Sequence, residues 1–186
     1  ICEGLVGSEM CIRDRTCLTS CVSEYKTKQS KMTAKTLINT LSLPVVESAG
    51  GLVCNRHHHI LLIFKRGKWD MAKGRVEDLK CPQTSALREV NEETGLAIDK
   101  LTVEGKLVST WHTTRHQNIK YLKKTHWFLM RYDGDDDQTC PQVEEGIIEC
   151  RWVHLSDLSA YRQLLPVRID YVVDFWHQNL AYSPRR

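Results

Sequence analysis

The chain has no apolar run near the roughly 18 residues of a membrane-spanning helix; its longest candidate is residues 60–64. No membrane partner is expected. It also lacks Cys-x-x-Cys pairs and paired His spacing. Its eight cysteines therefore read as reduced thiols of a cytoplasmic protein rather than as zinc or disulfide positions. Excess charge of one sign is scarce too. The 26 Lys and Arg against 23 Asp and Glu give a formal net charge of +3, too small for general binding of a nucleic-acid polymer. A small anionic ligand remains compatible with local basic clusters. No repeat is visible, and 41% hydrophobic with 26% charged residues excludes a collagen, a coiled coil or a mainly disordered chain. A chain of 186 residues buries roughly 70% of its unfolded surface, so its core needs no disulfide or metal staple.

Residues 1–15 carry neither helical nor strand periodicity, and no basic start, apolar stretch and cleavage site of a secretory signal. Glu9-Met10-Cys11-Ile12-Arg13-Asp14 back-translates to GAG ATG TGT ATA AGA GAC, which contains the transposase end of a common DNA library adapter. The segment is expected to be translated adapter. Residues 16–44, rich in Thr, Ser and Lys, are expected to be a flexible N-terminal arm, with Met32 as a candidate native start.

Two apolar runs, Val45 to Cys54 and Ile60 to Lys65, flank Asn55-Arg56-His57-His58-His59 and read as strand, solvated turn, strand. Pro82 to Thr94 places Ala86, Leu87 and Val90 on one helical stripe, with proline at the first position and Gly95 as the left-handed stop. Leu101 to Thr110, Ile119 to Tyr132 and Ile147 to His154 follow as strands. The acidic run Asp133 to Asp137 lacks calcium-loop order and reads as a turn. Ser156 to Tyr161 and Pro166 to Asn179 read as closing helices. The order predicts an α/β (α+β) fold with a mixed sheet, the domain spanning 45–155 and helices of 156–186 packing on it.

The central helix carries Arg88-Glu89-Val90-Asn91-Glu92-Glu93-Thr94-Gly95-Leu96. Glu89, Glu92 and Glu93, spaced i, i+3, i+4, share one face and repel by about 0.2–0.5 kcal/mol per pair. A hard divalent cation, which takes oxygen ligands together with substrate phosphates, would relieve that repulsion. As a bare acidic cluster a solvated helix face is the commoner outcome.

Gly74 followed by this helix resembles the Nudix box: Gly, five residues, Glu, seven residues, then Arg-Glu-aliphatic-x-Glu-Glu-x-Gly-aliphatic. Eight of nine specified positions match, with the spacing from Gly74 to Arg88 intact. The resemblance includes Ala49-Gly50-Gly51, Trp69-Asp70-Met71-Ala72-Lys73-Gly74, Lys123-Lys124-Thr125-His126-Trp127 and Trp152-Val153, covering about residues 45–155. The departure is Lys80, where the box has its first glutamate, preceded by Leu79 where a glycine is usual. Glu77 or Asp78 is a candidate replacement carboxylate.

The resemblance implies an α/β/α sandwich with a loop-helix-loop motif that hydrolyses a nucleoside diphosphate linked to another moiety, using Mg²⁺ or Mn²⁺. Glu89 would be base or metal-bound positioner, held by Arg88. Glu92 and Glu93 would be metal ligands, and Glu145, ahead of Glu144, a further one. Arg66, Lys68, Lys73, Arg75, Lys123 and Lys124 are candidates to neutralise substrate phosphates. Trp69, Tyr121 and Trp127 are candidates to stack a base, though buried core aromatics are commoner. The expected partner is a small nucleotide. The pattern after the box is most similar to diadenosine polyphosphate and nucleoside triphosphate hydrolases, with ADP-ribose or a nucleotide sugar as alternative substrates. Lys80 and Leu79 leave an impaired nucleotide-binding or sensing domain as the other reading.

Overall fold

Strand β3 (Val45–Asn55) shows how the sheet divides the molecule. Successive side chains of a strand leave opposite faces. Ala49 and Val53 accordingly enter one apolar cluster, and Leu52 the other. A computed structural model describes residues 5–6, 9–11, 42–77, 80–135 and 138–180. The adapter-like segment beyond its strands, the arm up to residue 41, Asp78, Leu79, the end of the acidic run at Asp136 and Asp137, and residues 181–186 lie outside the described residues.

The further elements are β1 (Leu5–Val6), β2 (Glu9–Cys11), β4 (His59–Lys65), β5 (Lys68–Asp70), β6 (Lys73–Arg75), α1 (Pro82–Thr94), β7 (Leu101–His116), β8 (Ile119–Tyr132), β9 (Ile147–His154), α2 (Leu158–Tyr161) and α3 (Val167–Leu180). Among the described residues the strands form one mixed sheet in the order β1-β2-β7-β8-β3-β4-β5, with β6 paired to β3 and β9 to β4. The β3–β8 pair is parallel and the others antiparallel. Helix α1 covers one face through Ala86 and Val90, against Ala49, Val53, Phe128 and Met130. Helix α3 covers the other through Ile169, Val172, Val173 and Trp176, an i, i+3, i+4, i+7 stripe, against Leu52, Leu62 and Trp127. The architecture is the mixed-sheet α/β/α sandwich expected from the sequence.

Local chemistry sets the boundaries. Pro82 opens α1, and Gly95 closes it at φ 74°, its amide donating to the Asn91 carbonyl at 2.8 Å. In the turn after β3, the Asn55 side chain accepts from the His57 and His59 amides at 3.0 and 2.8 Å. Two expectations shift. Strand β7 runs to His116 rather than Thr110, because its antiparallel ladder with β8 continues to the turn at Gln117 and Asn118. The first closing helix is a 3₁₀ turn, Leu155–Asp157, followed by one turn of α-helix. Strands β1 and β2 arise without periodicity: the outer edge of β7 presents unpaired backbone groups, and β2 pairs there with Met10 opposite Trp111.

No described helix is long and apolar enough to cross a membrane. Cys54, Cys81, Cys140 and Cys150 are free, and burial pushes the Cys54 and Cys150 thiols up to about 12.

Candidate active site

Close approach of β6 to α1 begins the site. A Cβ on Gly74 would run into the Glu89 carboxylate, so a residue without a side chain is what lets Glu89 lie over β6. A Cβ on Gly50 would meet the Ala72 carbonyl and the Lys73 side chain. The two glycines thus let β3, β6 and α1 meet at one end of the sheet.

Here a cleft of about 630 Å³ opens. Its walls include Glu89, Glu92 and Glu93 from α1, Glu145 from the 3₁₀ turn Val143–Glu145, and Arg88. Arg88 stands 2.5 Å from both Glu89 and Glu92. It also donates to the Arg75 carbonyl at 3.2 Å. Glu93 is buried. It accepts from the Lys73 amide at 2.8 Å and pairs with Lys65 at 3.5 Å, while Lys65 reaches Glu145 at 3.2 Å.

Burial raises the proton affinity of Glu89, against the pull of Arg88, and the charges of Glu92 and Glu145 add to it. Burial also raises Glu93 above the ordinary glutamate range, with Lys73 and Lys65 opposing and Glu89 adding to the rise. These mutual effects show carboxylates near enough to repel. Their all-oxygen donor set suits a hard divalent cation. Among the described residues no three Asp, Glu, His or Cys side chains already stand together as a ligand group, and Arg88 supplies the neutralising charge for Glu89 and Glu92.

Cations line the remaining walls. Arg66, Lys68, Lys73, Arg75 and Lys123 face the cleft, but Lys124 does not. Period two in β8 sends it to the sheet face opposite Lys123, where it pairs with Glu47 at 3.5 Å and sits over Trp111. No Trp, Tyr or Phe lines the cleft among the described residues. Trp127 is fully buried and donates to Thr110 at 2.9 Å, and Trp69 packs between Phe64 and Tyr161. Lys80 is also absent from the walls; its ammonium lies 2.6 Å from Glu77.

The cleft contains residues that periodicity and spacing did not single out: Lys65, Asp70, His112, Thr114, Gln142 and Arg168. One signal was available, since the β7–β8 ladder sets His112 directly opposite Lys123. For Arg168 the amphipathic stripe gave the helix but not which of its ends meets the cleft.

The NUDIX domain family matches residues 45–174. The chain belongs to the Nudix family of hydrolases. Its match extends through α2 and into α3, past the boundary at residue 155 expected from the motifs. An RNA pyrophosphohydrolase of Cereibacter sphaeroides is 28% identical over 140 residues, covering 66% of this chain and 84% of that protein. An 8-oxo-dGTP diphosphatase of Proteus vulgaris is 25% identical over 85 residues, covering 42% of this chain and 75% of that one. Among solved structures, an Ap4A hydrolase binary complex from C. elegans superposes with a TM-score of 0.57 at 16% identity, over 74% of this chain and 99% of that chain. That likeness concerns the Nudix fold.

Proposed function

We propose that the protein is a divalent-metal-dependent hydrolase cleaving a phosphoanhydride bond in a nucleoside diphosphate linked to another moiety, with a diadenosine polyphosphate or a nucleoside triphosphate as the favoured substrate. The observation that carries this reading is the meeting, in one cleft, of Glu89, Glu92 and Glu93 with Lys73 and Lys123. Carboxylates alone would repel a polyphosphate, and cations alone would bind it without activating water. The names of two similar proteins, an RNA pyrophosphohydrolase and an 8-oxo-dGTP diphosphatase, are consistent with this reading.

Glu92 and Glu93 would hold the metal, Mg²⁺ or Mn²⁺, with Glu89 and Glu145 contributing oxygens. When bound, such a metal offsets phosphate charge and lowers the pKa of water. Glu89 would accept the proton of the attacking water, a role supported by burial, which raises its proton affinity above that of an ordinary glutamate. Arg88 orients Glu89. Lys73 and Lys123 then neutralise charge on the phosphate chain, with Arg66 and Lys68 nearer the rim.

The deciding experiment offers the protein a panel of dinucleotide polyphosphates, nucleoside triphosphates and ADP-ribose, with Mg²⁺, Mn²⁺ or EDTA. Metal-dependent release of phosphate-bearing products from one class is expected. Absence of cleavage, together with a nucleotide-induced rise in melting temperature, would instead make this a nucleotide-binding domain.

A further inference from the structure

Strand β9 lies at a border of the sheet. Along one edge it pairs with β4, from His154 opposite His59 to Ile147 opposite Lys65, and among the described residues no strand pairs with its other edge. Apart from the Ile147 amide, which donates to the Gln142 carbonyl at 3.3 Å, β9 makes no backbone bond outside that ladder there. Open edges recruit further strands, and proteins guard them with short length, proline, lysine or bulges. β9 has eight residues and neither proline nor lysine, and its register shift falls at its start, beside Lys65. Ile148, at that end, is 68% exposed.

The charges of this edge have an order. Glu149 and Arg151 stand one residue either side of Cys150, and period two sends both to one face of the sheet. Arg151 is held in place: it donates to Glu149 at 2.7 Å and to the Tyr161 hydroxyl at 3.2 Å, and lies 5.1 Å from the centre of the Trp69 ring. The pair is not saturated. A guanidinium has five donors and a carboxylate about four acceptor positions, and the two side chains remain 47% and 38% exposed.

Two copies of β9 paired antiparallel about a two-fold axis through the sheet have their register fixed by the residue on the axis. Centred on Glu149 or on Arg151, the pairing sets like charges directly opposite, which is destabilising. Centred on Cys150, it sets Glu149 of each copy opposite the partner's Arg151, so the favourable contact occurs twice. We infer that β9 is a self-complementary interface, pairing antiparallel about Cys150 with a second copy of this chain and continuing the sheet through a symmetric dimer. Ile148 would lose exposure in the same contact. One strand pair is smaller than a standard interface of roughly 1,200–2,000 Å², so the dimer is weak and depends on concentration. None of this draws on the hydrolytic reading.

Sedimentation velocity on the full chain, from about 1 μM to about 1 mM, should show a shift from monomer to dimer. Glu149→Arg and Arg151→Glu each turn both cross-axis contacts into repulsions, and each should weaken self-association about tenfold or more. Mixed in equal amounts, the two variants regain opposite charges across the axis and should associate within a few-fold of the parent. Both lack the Glu149–Arg151 pair within the chain, so recovery in the mixture cannot come from a repaired fold. Ile119→Lys, at the start of β8 and 53% exposed before substitution, should associate like the parent. A parent that stays monomeric throughout, as it would were the edge covered by another segment of the chain, overturns the interface. So do single variants that associate like the parent, a mixture no more dimeric than its components, or a dimer lost in Ile119→Lys.

Discussion

Glu77 lies 3.2 Å from the Arg88 guanidinium through one carboxylate oxygen, while the other lies 2.6 Å from Lys80. The loop before α1 is therefore tied to the same arginine that holds Glu89 and Glu92. The hydrogen bond and charge of Lys80, with Arg88 behind them, keep the Glu77 carboxyl below the usual range. Lys80, unusual for a Nudix box, thus has a partner and stays out of the cleft.

This arrangement predicts how two substitutions behave. Glu77→Gln removes the charge that restrains Arg88, and should lower kcat several-fold with little change in KM, because its effect reaches substrate only through Arg88 and Glu89. Lys80→Glu places a second carboxylate beside Glu77 and should give no gain in kcat/KM. A gain of about tenfold or more would mean that the natural loop is impaired and that Glu77 does not compensate.

Gly74→Ala tests the approach of β6 to α1. The added methyl would occupy the place of the Glu89 carboxylate, the far end of a flexible side chain. Glu89 can swing aside, so the fold should survive, with far-UV circular dichroism and melting temperature close to the parent. The rate should nevertheless fall about 100-fold, since a misplaced catalytic group costs that much even for small displacements. Retention of full activity would show that Glu89 does not act from its position over Gly74.

The metal-ligand assignment is tested by Glu92→Gln and Glu93→Gln. Each replaces a charged donor with a weak one and should reduce turnover by about 100-fold or more, and the pair should abolish it. Their stabilities should differ from their activities. Burial disfavours the ionised form of Glu93, so its folded pKa lies above the unfolded value, and the stability it lends is present at low pH and lost as pH rises through the folded value. At neutral pH in EDTA, Glu93→Gln should therefore melt no lower than the parent. A marked drop would mean that the ionised carboxylate, gripping Lys65 and the Lys73 amide, is chiefly structural.

Much of this is legible in the amino-acid sequence, for reasons specific to each element. Proline and glycine punctuate α1 at both ends, and period-two alternation identifies β8, so those boundaries could be read directly. The carboxylate face of α1 followed from i, i+3, i+4 spacing. What stayed hidden depended on long-range packing. Adjacent Lys123 and Lys124 look equivalent in sequence, but the pleat sends only Lys123 into the cleft. Asp70 and Arg168 are 98 residues apart and meet only because α3 crosses the sheet face with its first turn at the cleft. Strand β2 forms on an edge whose backbone needs no side-chain pattern to pair.

Lys123 gives the last prediction, because a group suited to binding an anion should weaken the empty protein. Burial, reinforced by Lys73 and Arg168 and partly offset by Asp70, pushes its ammonium down from 10.5 to about 8. Between those values the folded chain binds fewer protons than the unfolded one, so this residue makes stability rise with pH. Its penalty is present in full below pH 8, where both states carry the charge, and is gone above about pH 10.5. Lys123→Met should thus melt higher than the parent at pH 7 in EDTA, by roughly 2–4 °C for each kcal/mol recovered, with the gap closing from pH 8 upward. Adding tripolyphosphate should narrow or reverse it, since only the parent gains the full stabilisation of bound anion. The measurement is a melting series from pH 6 to 10.5 with and without that anion. A variant less stable than the parent at pH 7, or a gap that does not close with rising pH, would show that the ammonium is not strained in the empty cleft.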